Sequence, residues 1–312
     1  MVGPQGPPAS HALVPAMPWL QLIINSDRED VASIESALAS CNALSVTFED
    51  NADEPIFEPA LGEAPLWTAT RVTGLFEADI DTATTLDTIL AHSSAKPGAC
   101  RWHILEDKDW QREWMQYFKP IQCSDNFWIC PSWCDAPNPK AVNLMLDPGL
   151  AFGTGTHPTT FQCLQWIAES NIRDKSVIDY GCGSGILGIA ALLLGAETVF
   201  GTDIDPQALV ATAENVRRNG LDAERFPVYF PDKCPQAPVD FVFANILAGP
   251  LVELAPKLIA LVKPGGKICL SGILNTQKHA IVDAYAPTIN IDGINEHDNW
   301  LCITGTKPRT RS

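Results

Sequence analysis

No stretch of this 312-residue chain approaches the roughly 20 consecutive apolar residues that a membrane span needs. The longest run, residues 186–194, has the length of a buried helix, so no membrane contact is expected. Basic charge is scarce as well, with 21 Lys and Arg against 37 Asp and Glu and a net charge of −16. Phosphate backbones repel such a surface, which argues against direct nucleic-acid binding and favours a cationic partner. The same charge could serve solubility alone. Closely spaced histidines are absent, and Cys130 and Cys134, with Cys123 nearby, have no second pair, so no metal site is expected. Ten cysteines in this length do not make a disulfide scaffold, and Cys163, Cys182, Cys269 and Cys302 lie in apolar runs as small hydrophobes. The first sixteen residues lack the cationic start of a secretory signal and hold four prolines and two glycines. Residues 1–16 are therefore expected to be a disordered extension, and the compartment a reducing cytoplasm.

What is present is 46% hydrophobic and 19% charged, the balance of a globular protein with room for two domains. Over residues 17–106 the pattern alternates. WLQLIIN, LSVTFED, LWTATRVTGLF and CRWHILED read as strands. DREDVASIESALAS and DTATTLDTILAHSS read as helices, giving β-α-β-β-α-β, the order of a ferredoxin-like α+β domain. Residues 107–119 predict a helical linker whose Trp110, Trp114 and Phe118 share one face. From 120 to 312, SDNFWICPSW reads as a first strand. SVIDYG, TVFGTDI, PVYF, VDFVFAN, GKICLSG and WLCITGTK follow as near-continuous apolar strands, most separated by helices at 186–194, 206–219 and 250–262. That alternation predicts an α/β, doubly wound parallel sheet of Rossmann-like type. No internal repeat is visible.

Two glycine-rich stretches carry the chemistry. DYGCGSGILG follows a strand and opens a helix, where glycines let the backbone turn sharply and let a ligand approach. Gly183, Gly185 and Gly188 fit the dinucleotide pattern G-x-G-x-x-G, weak evidence by itself. Asp179, Gly181, Gly183 and Gly185 also fit D-x-G-x-G-x-G, which resembles the first motif of Rossmann-like methyltransferases. Their ligand, S-adenosylmethionine, carries an ammonium and a sulfonium, so an acid at the strand end suits it, and Asp179 fills that position. Asp203, about twenty residues on at the next strand tip, could accept both ribose hydroxyls of either nucleoside. Asp205 followed by Pro206 reads as a helix cap.

Asn245 ends the fourth strand beside the expected cofactor site, where an amide carbonyl can accept from an amine; a turn asparagine is the plainer alternative. A dehydrogenase would want an acid–base group downstream, and His279 and His297 lie in poor contexts for it. The second stretch, LDPGLAFGTGTHPTT, opens another helix. Thr159 and Thr160 could cap that helix, or the segment could fold over the cofactor's amino-acid end with Thr160 offering a hydroxyl.

Taken together, LEDKDWQREWM, LDPGLAFGTGTHPTT, VIDYGCGSGILGIAA, DIDPQA and ANILAGPL resemble the PrmA family, methyltransferases of one large-subunit ribosomal protein (L-eleven), over nearly everything after Met17. The resemblance implies a class I S-adenosylmethionine-dependent enzyme that trimethylates the N-terminal α-amine and lysine ε-amines of that protein. It implies cofactor contacts from Thr160, Gly181, Asp203 and Asn245, a ferredoxin-like domain that holds the substrate protein, and a chain working as a monomer. No catalytic base stands out in these motifs. An NAD-dependent oxidoreductase and a non-enzymatic ribosome-binding module stay open as alternatives from other classes.

Overall fold

The computed structural model describes residues 19–52, 66–105, 118–147, 149 and 151–309. The expected extension at 1–16 and nearly all of the expected linker at 107–119 lie outside them. The chain forms two compact units, Met1–Trp114 and Met115–Ser312.

In the first unit the order is β1 (Trp19–Asp27), α1 (Val31–Ser40), β2 (Ser45–Asp50), β3 (Ala69–Phe76), α2 (Thr82–His92) and β4 (Cys100–Leu105). The strands form one antiparallel sheet in the order β2-β3-β1-β4, the ferredoxin-like arrangement the sequence predicts. Alternation in β1 turns Leu22 and Ile24 inward, and helical spacing in α1 turns Val31, Ile34 and Leu38 onto them. Asp81 caps α2 by accepting from the Ala83 and Thr84 N–H groups.

The second unit opens with a small sheet of β5 (Ile121–Ser124), β6 (Phe127–Cys130) and β7 (Val142–Met145). Only β6 is apolar enough to stand out in the sequence. Next come α3 (Pro158–Glu169), β8 (Ser176–Tyr180), α4 (Ile186–Leu193), β9 (Thr198–Thr202), α5 (Pro206–Arg218), β10 (Val228–Tyr229) and β11 (Val239–Asn245). The unit closes with α6 (Ala248–Glu253), α7 (Ala255–Leu261), β12 (Val262–Leu274), α8 (Lys278–Tyr285), β13 (Asn290–His297) and β14 (Trp300–Thr306).

Seven strands form the main sheet in the order β10-β9-β8-β11-β12-β14-β13. One helical layer packs over Val177, Phe241 and Cys269, the other over Ile178, Val242 and Leu270, so alternate residues of the same strands face opposite layers.

Two expectations need correction here. The sheet is mixed, because β14 runs antiparallel to both β12 and β13. β13 and β14 are joined by a two-residue turn, Asp298–Asn299, with φ of 49° and 65°, the left-handed pair that matches strand twist in a hairpin. The helix expected over 250–262 is two helices. Pro256 follows the break at Leu254, where its ring and missing N–H oppose helix continuation.

Candidate active site

The chain lays β8, β9 and β10 outward on one side, then returns to place β11 on the other side of β8. Ligands of open α/β sheets bind at such a reversal, outside the carboxyl ends of the strands. A cavity of about 820 Å³ lies there. Its wall is built by the residues that end three strands: Tyr180, Gly181 and Gly183 after β8, Thr202 to Ile204 after β9, and Asn245 to Leu247 after β11. Phe152, His157 and Thr159 from the second glycine-rich stretch also line it, with Trp300 from β14 and, on the same wall, Asp232 and Lys257.

The two glycine-rich stretches therefore face one space, and they are also bonded together. Ser184, almost fully buried, donates from Oγ to the Gly153 carbonyl at 2.6 Å and from its backbone N–H to the Phe152 carbonyl at 2.9 Å. The glycines of the first loop all have positive φ: 76° at Gly181, 54° at Gly183 and 80° at Gly185. A Cβ on Gly181 would overlap Ile246, one on Gly183 would stand 2.6 Å from the Phe152 carbonyl, and one on Gly185 would stand 2.7 Å from Thr212. The space these glycines leave is filled by neighbouring protein segments. In that direction they let the loops close on one another, while Gly181 and Gly183 also line the cavity.

Asp203 is half-buried on the cavity wall. One carboxylate oxygen accepts from the Gly183 N–H at 2.9 Å and the other from the Asp205 N–H at 3.0 Å, so it shapes the glycine loop while facing the cavity. Asp205 caps α5 by accepting from Gln207, with Pro206 in the first turn, as the sequence predicts. Asp179 departs from its expected place. It is 1% exposed, accepts from the Gly188 N–H at 2.9 Å and does not reach the cavity wall. Burial, opposed by the Gly188 bond and reinforced by the nearby Asp203 charge, pushes its pKa up to about 7.

Asn245 is a cross-chain link rather than a turn asparagine. Its Nδ2 donates to Thr160 Oγ1 at 3.1 Å, joining β11 to α3. Among the described residues, its Oδ1 is buried with no hydrogen-bond partner, and so is Thr202 Oγ1 on the same wall. Buried polar atoms left unpaired are costly, so an orphaned acceptor on a residue that lines a cavity is a candidate partner for a ligand donor. Thr160 is fully buried and stands behind Asn245, while Thr159 lines the cavity. Neither threonine is the N-cap of α3. That role belongs to His157, whose Nδ1 accepts from the Thr159 N–H at 3.3 Å. Burial lowers the His157 pKa, and with Nδ1 accepting, the neutral ring carries its proton on Nε2. The ring meets Trp300 edge-on at 5.0 Å and Phe152 at 5.7 Å.

Sequence reasoning missed His157, Trp300 and Thr202. Pro158, at the first helical position, could have marked His157 as the cap. Nothing local in the sequence marks the other two.

The family model described as "Ribosomal protein L11 methyltransferase (PrmA)" matches residues 18–308. The chain belongs to the PrmA family. A Ribosomal protein L11 methyltransferase of Teredinibacter turnerae is 65% identical over 95% of this chain and 99% of its own length. One from Saccharophagus degradans is 60% identical over 93% of this chain and all of its own. A crystal structure of ribosomal protein L11 methylase from Lactobacillus delbrueckii subsp. bulgaricus superposes with a TM-score of 0.54 at 31% identity, covering 62% of this chain and all of that one. As a PrmA family member with a Rossmann-like sheet, the chain is an S-adenosylmethionine-dependent methyltransferase.

Proposed function

We propose that this enzyme methylates amino groups of ribosomal protein L11, up to trimethylation of its α-amine and lysine side chains, in the cytoplasm and as a monomer that binds no nucleic acid directly. The observation that carries this reading is the cavity at the strand ends, lined by Asn245, whose Oδ1 has no partner among the described residues and is an acceptor suited to an amine N–H. S-adenosylmethionine supplies a methyl group already activated by the sulfonium. A cavity of about 820 Å³ is ample for it. Asp203 would accept from its ribose hydroxyls, and the Gly181 backbone would border it. Thr160 would act by fixing the Asn245 amide so that Oδ1 points to the amine. The remaining task is positioning, which can supply much of the rate of an in-line displacement.

Among the described residues, neither His157 nor Asp179 is placed to act as a base. The only free lone pair of neutral His157 is used in capping α3, and Asp179 stands behind the wall. On this reading the attacking amine arrives neutral and releases its proton to water. The first unit would hold the substrate protein. Calorimetric titration of the full chain with S-adenosylmethionine and, in parallel, with NAD tests the cofactor. Transfer of labelled methyl to purified L11 tests the substrate. Binding of NAD alone, or labelling of other ribosomal proteins but not L11, would overturn the reading.

A further inference from the structure

Three thiols that the sequence presents as separate apolar residues meet in the core of the second unit. Cys269 on β12 lies with its Sγ 3.7 Å from Cys163 Sγ on α3 and 3.5 Å from Cys302 Sγ on β14. All three sulfurs lie within 4.8 Å of one another, each residue is at most 1% exposed, and none is in a disulfide. Sulfurs bonded to one tetrahedral metal at about 2.3 Å are about 3.8 Å apart, so this spacing suits convergence on a shared atom.

Donor number and charge decide which atom. Among the described residues the cluster offers three metal-ligating groups; the buried Ser271 hydroxyl beside Cys163 donates to the Leu301 carbonyl, and the same core holds apolar side chains such as Leu164, Ile167 and Phe243. Zinc calls for a fourth ligand. Three thiolates around a divalent ion leave one negative charge, and around copper(I) two, in a core where an uncompensated charge is strongly disfavoured. Three thiolates around a trivalent ion leave none. Arsenic(III) takes three sulfur ligands in a pyramid and needs no fourth.

We propose that Cys163, Cys269 and Cys302 form a binding site for trivalent arsenic, and for the chemically similar antimony(III). Arsenous acid, As(OH)3, exchanges its three hydroxyls for three thiols. Three As–S bonds form, three As–O bonds and three S–H bonds break, and three waters leave. Arsenic stays in the +3 state, so neither oxidant nor reductant is needed, and reactant and product are both neutral. Since the sulfurs are buried, loading waits on opening of the core and is slow. Once formed, the bonds tie α3, β12 and β14 together.

The test uses the full-length reduced chain incubated with sodium arsenite, freed of excess and read by arsenic X-ray absorption, native mass spectrometry and thermal unfolding. One arsenic per chain is expected, ligated by three sulfurs and no oxygen, with a raised Tm. Cys269→Ala and Cys302→Ala, each checked for an unchanged circular dichroism spectrum, should lose the three-sulfur signature and the Tm rise. A variant that misfolds is replaced by Cys163→Ser or Cys269→Ser. No uptake by the wild type, ligation by two sulfurs and an oxygen, or equal uptake by correctly folded variants through the other cysteines would overturn the site. None of these readouts depends on methyl transfer.

Discussion

At the scale of single residues, Asp203 does two jobs with one carboxylate. It holds the Gly183 N–H and faces the cavity. Asp203→Ala should remove both, and charge-assisted hydrogen bonds contribute about 1.5–3 kcal/mol each. The affinity for S-adenosylmethionine should fall roughly ten- to a hundredfold by calorimetry. Asp203→Asn keeps an acceptor and should lose less. Asp179 makes a different prediction. Its pKa of about 7 lies above the ordinary 3.8, so folding favours its neutral form. The stability it allows is fully present below about pH 4 and is lost as pH rises through 7. The full shift corresponds to roughly 4 kcal/mol as an upper bound. Asp179→Asn keeps an acceptor for the Gly188 N–H and has no charge to bury. In urea unfolding the variant should therefore gain on the wild type as pH is raised from 4 to 8. A difference that stays flat across that range would mean the carboxylate is ordinarily ionised.

At the scale of elements, the turn after β11 is held between two others. Ile246 fills the space left by Gly181 at the end of β8 and by Gly272 in β12, where φ is 84° and a Cβ would overlap the Ile246 carbonyl. β12 and β14 shift register between Leu270 and Ile273, around this glycine, so the irregularity in the sheet makes room for the turn that follows Asn245. Gly272→Ala should cost more than about 2 kcal/mol, from left-handed strain together with displacement of a backbone group. It should also weaken cofactor binding. If denaturant midpoints and calorimetry both match the wild type, the turn is not held in this way.

At the scale of the whole molecule, every residue of the cavity wall belongs to the second unit. A fragment from about residue 115 onward should still bind S-adenosylmethionine but methylate intact L11 poorly. Full-rate labelling by the fragment would remove the first unit from substrate recognition. If no group of the site takes the amine proton, the enzyme should also inherit the titration of its substrates. A lysine has a reference pKa of about 10.4 and an α-amine about 7.7–8.0. Single-turnover transfer should rise from pH 6 to 9, with lysine transfer still climbing after α-amine transfer has levelled off. Flat profiles for both amines, with chemistry limiting, would mean that a group on the enzyme takes the proton.

What the sequence determined by itself is what local physics controls. Long apolar runs made β8, β9 and β11 legible, Asp205-Pro206 marked a helix start, and the glycine spacing marked a strand-to-helix loop. The five long motifs, from LEDKDWQREWM through the two glycine loops to DIDPQA and ANILAGPL, were enough to name the family and its cofactor. Tertiary structure decided what depends on partners distant in the chain. The sequence could not say that Asp179 turns away from the cavity, that Asn245 bonds Thr160 85 residues away, or that the loop glycines make room for Ile246 and Phe152. The polar β13 carries too weak an alternation to be seen until β14 pairs with it. Cys163, Cys269 and Cys302 become a cluster only when a helix and two strands bring them together, because side-chain chemistry is written in the sequence while proximity is set by packing.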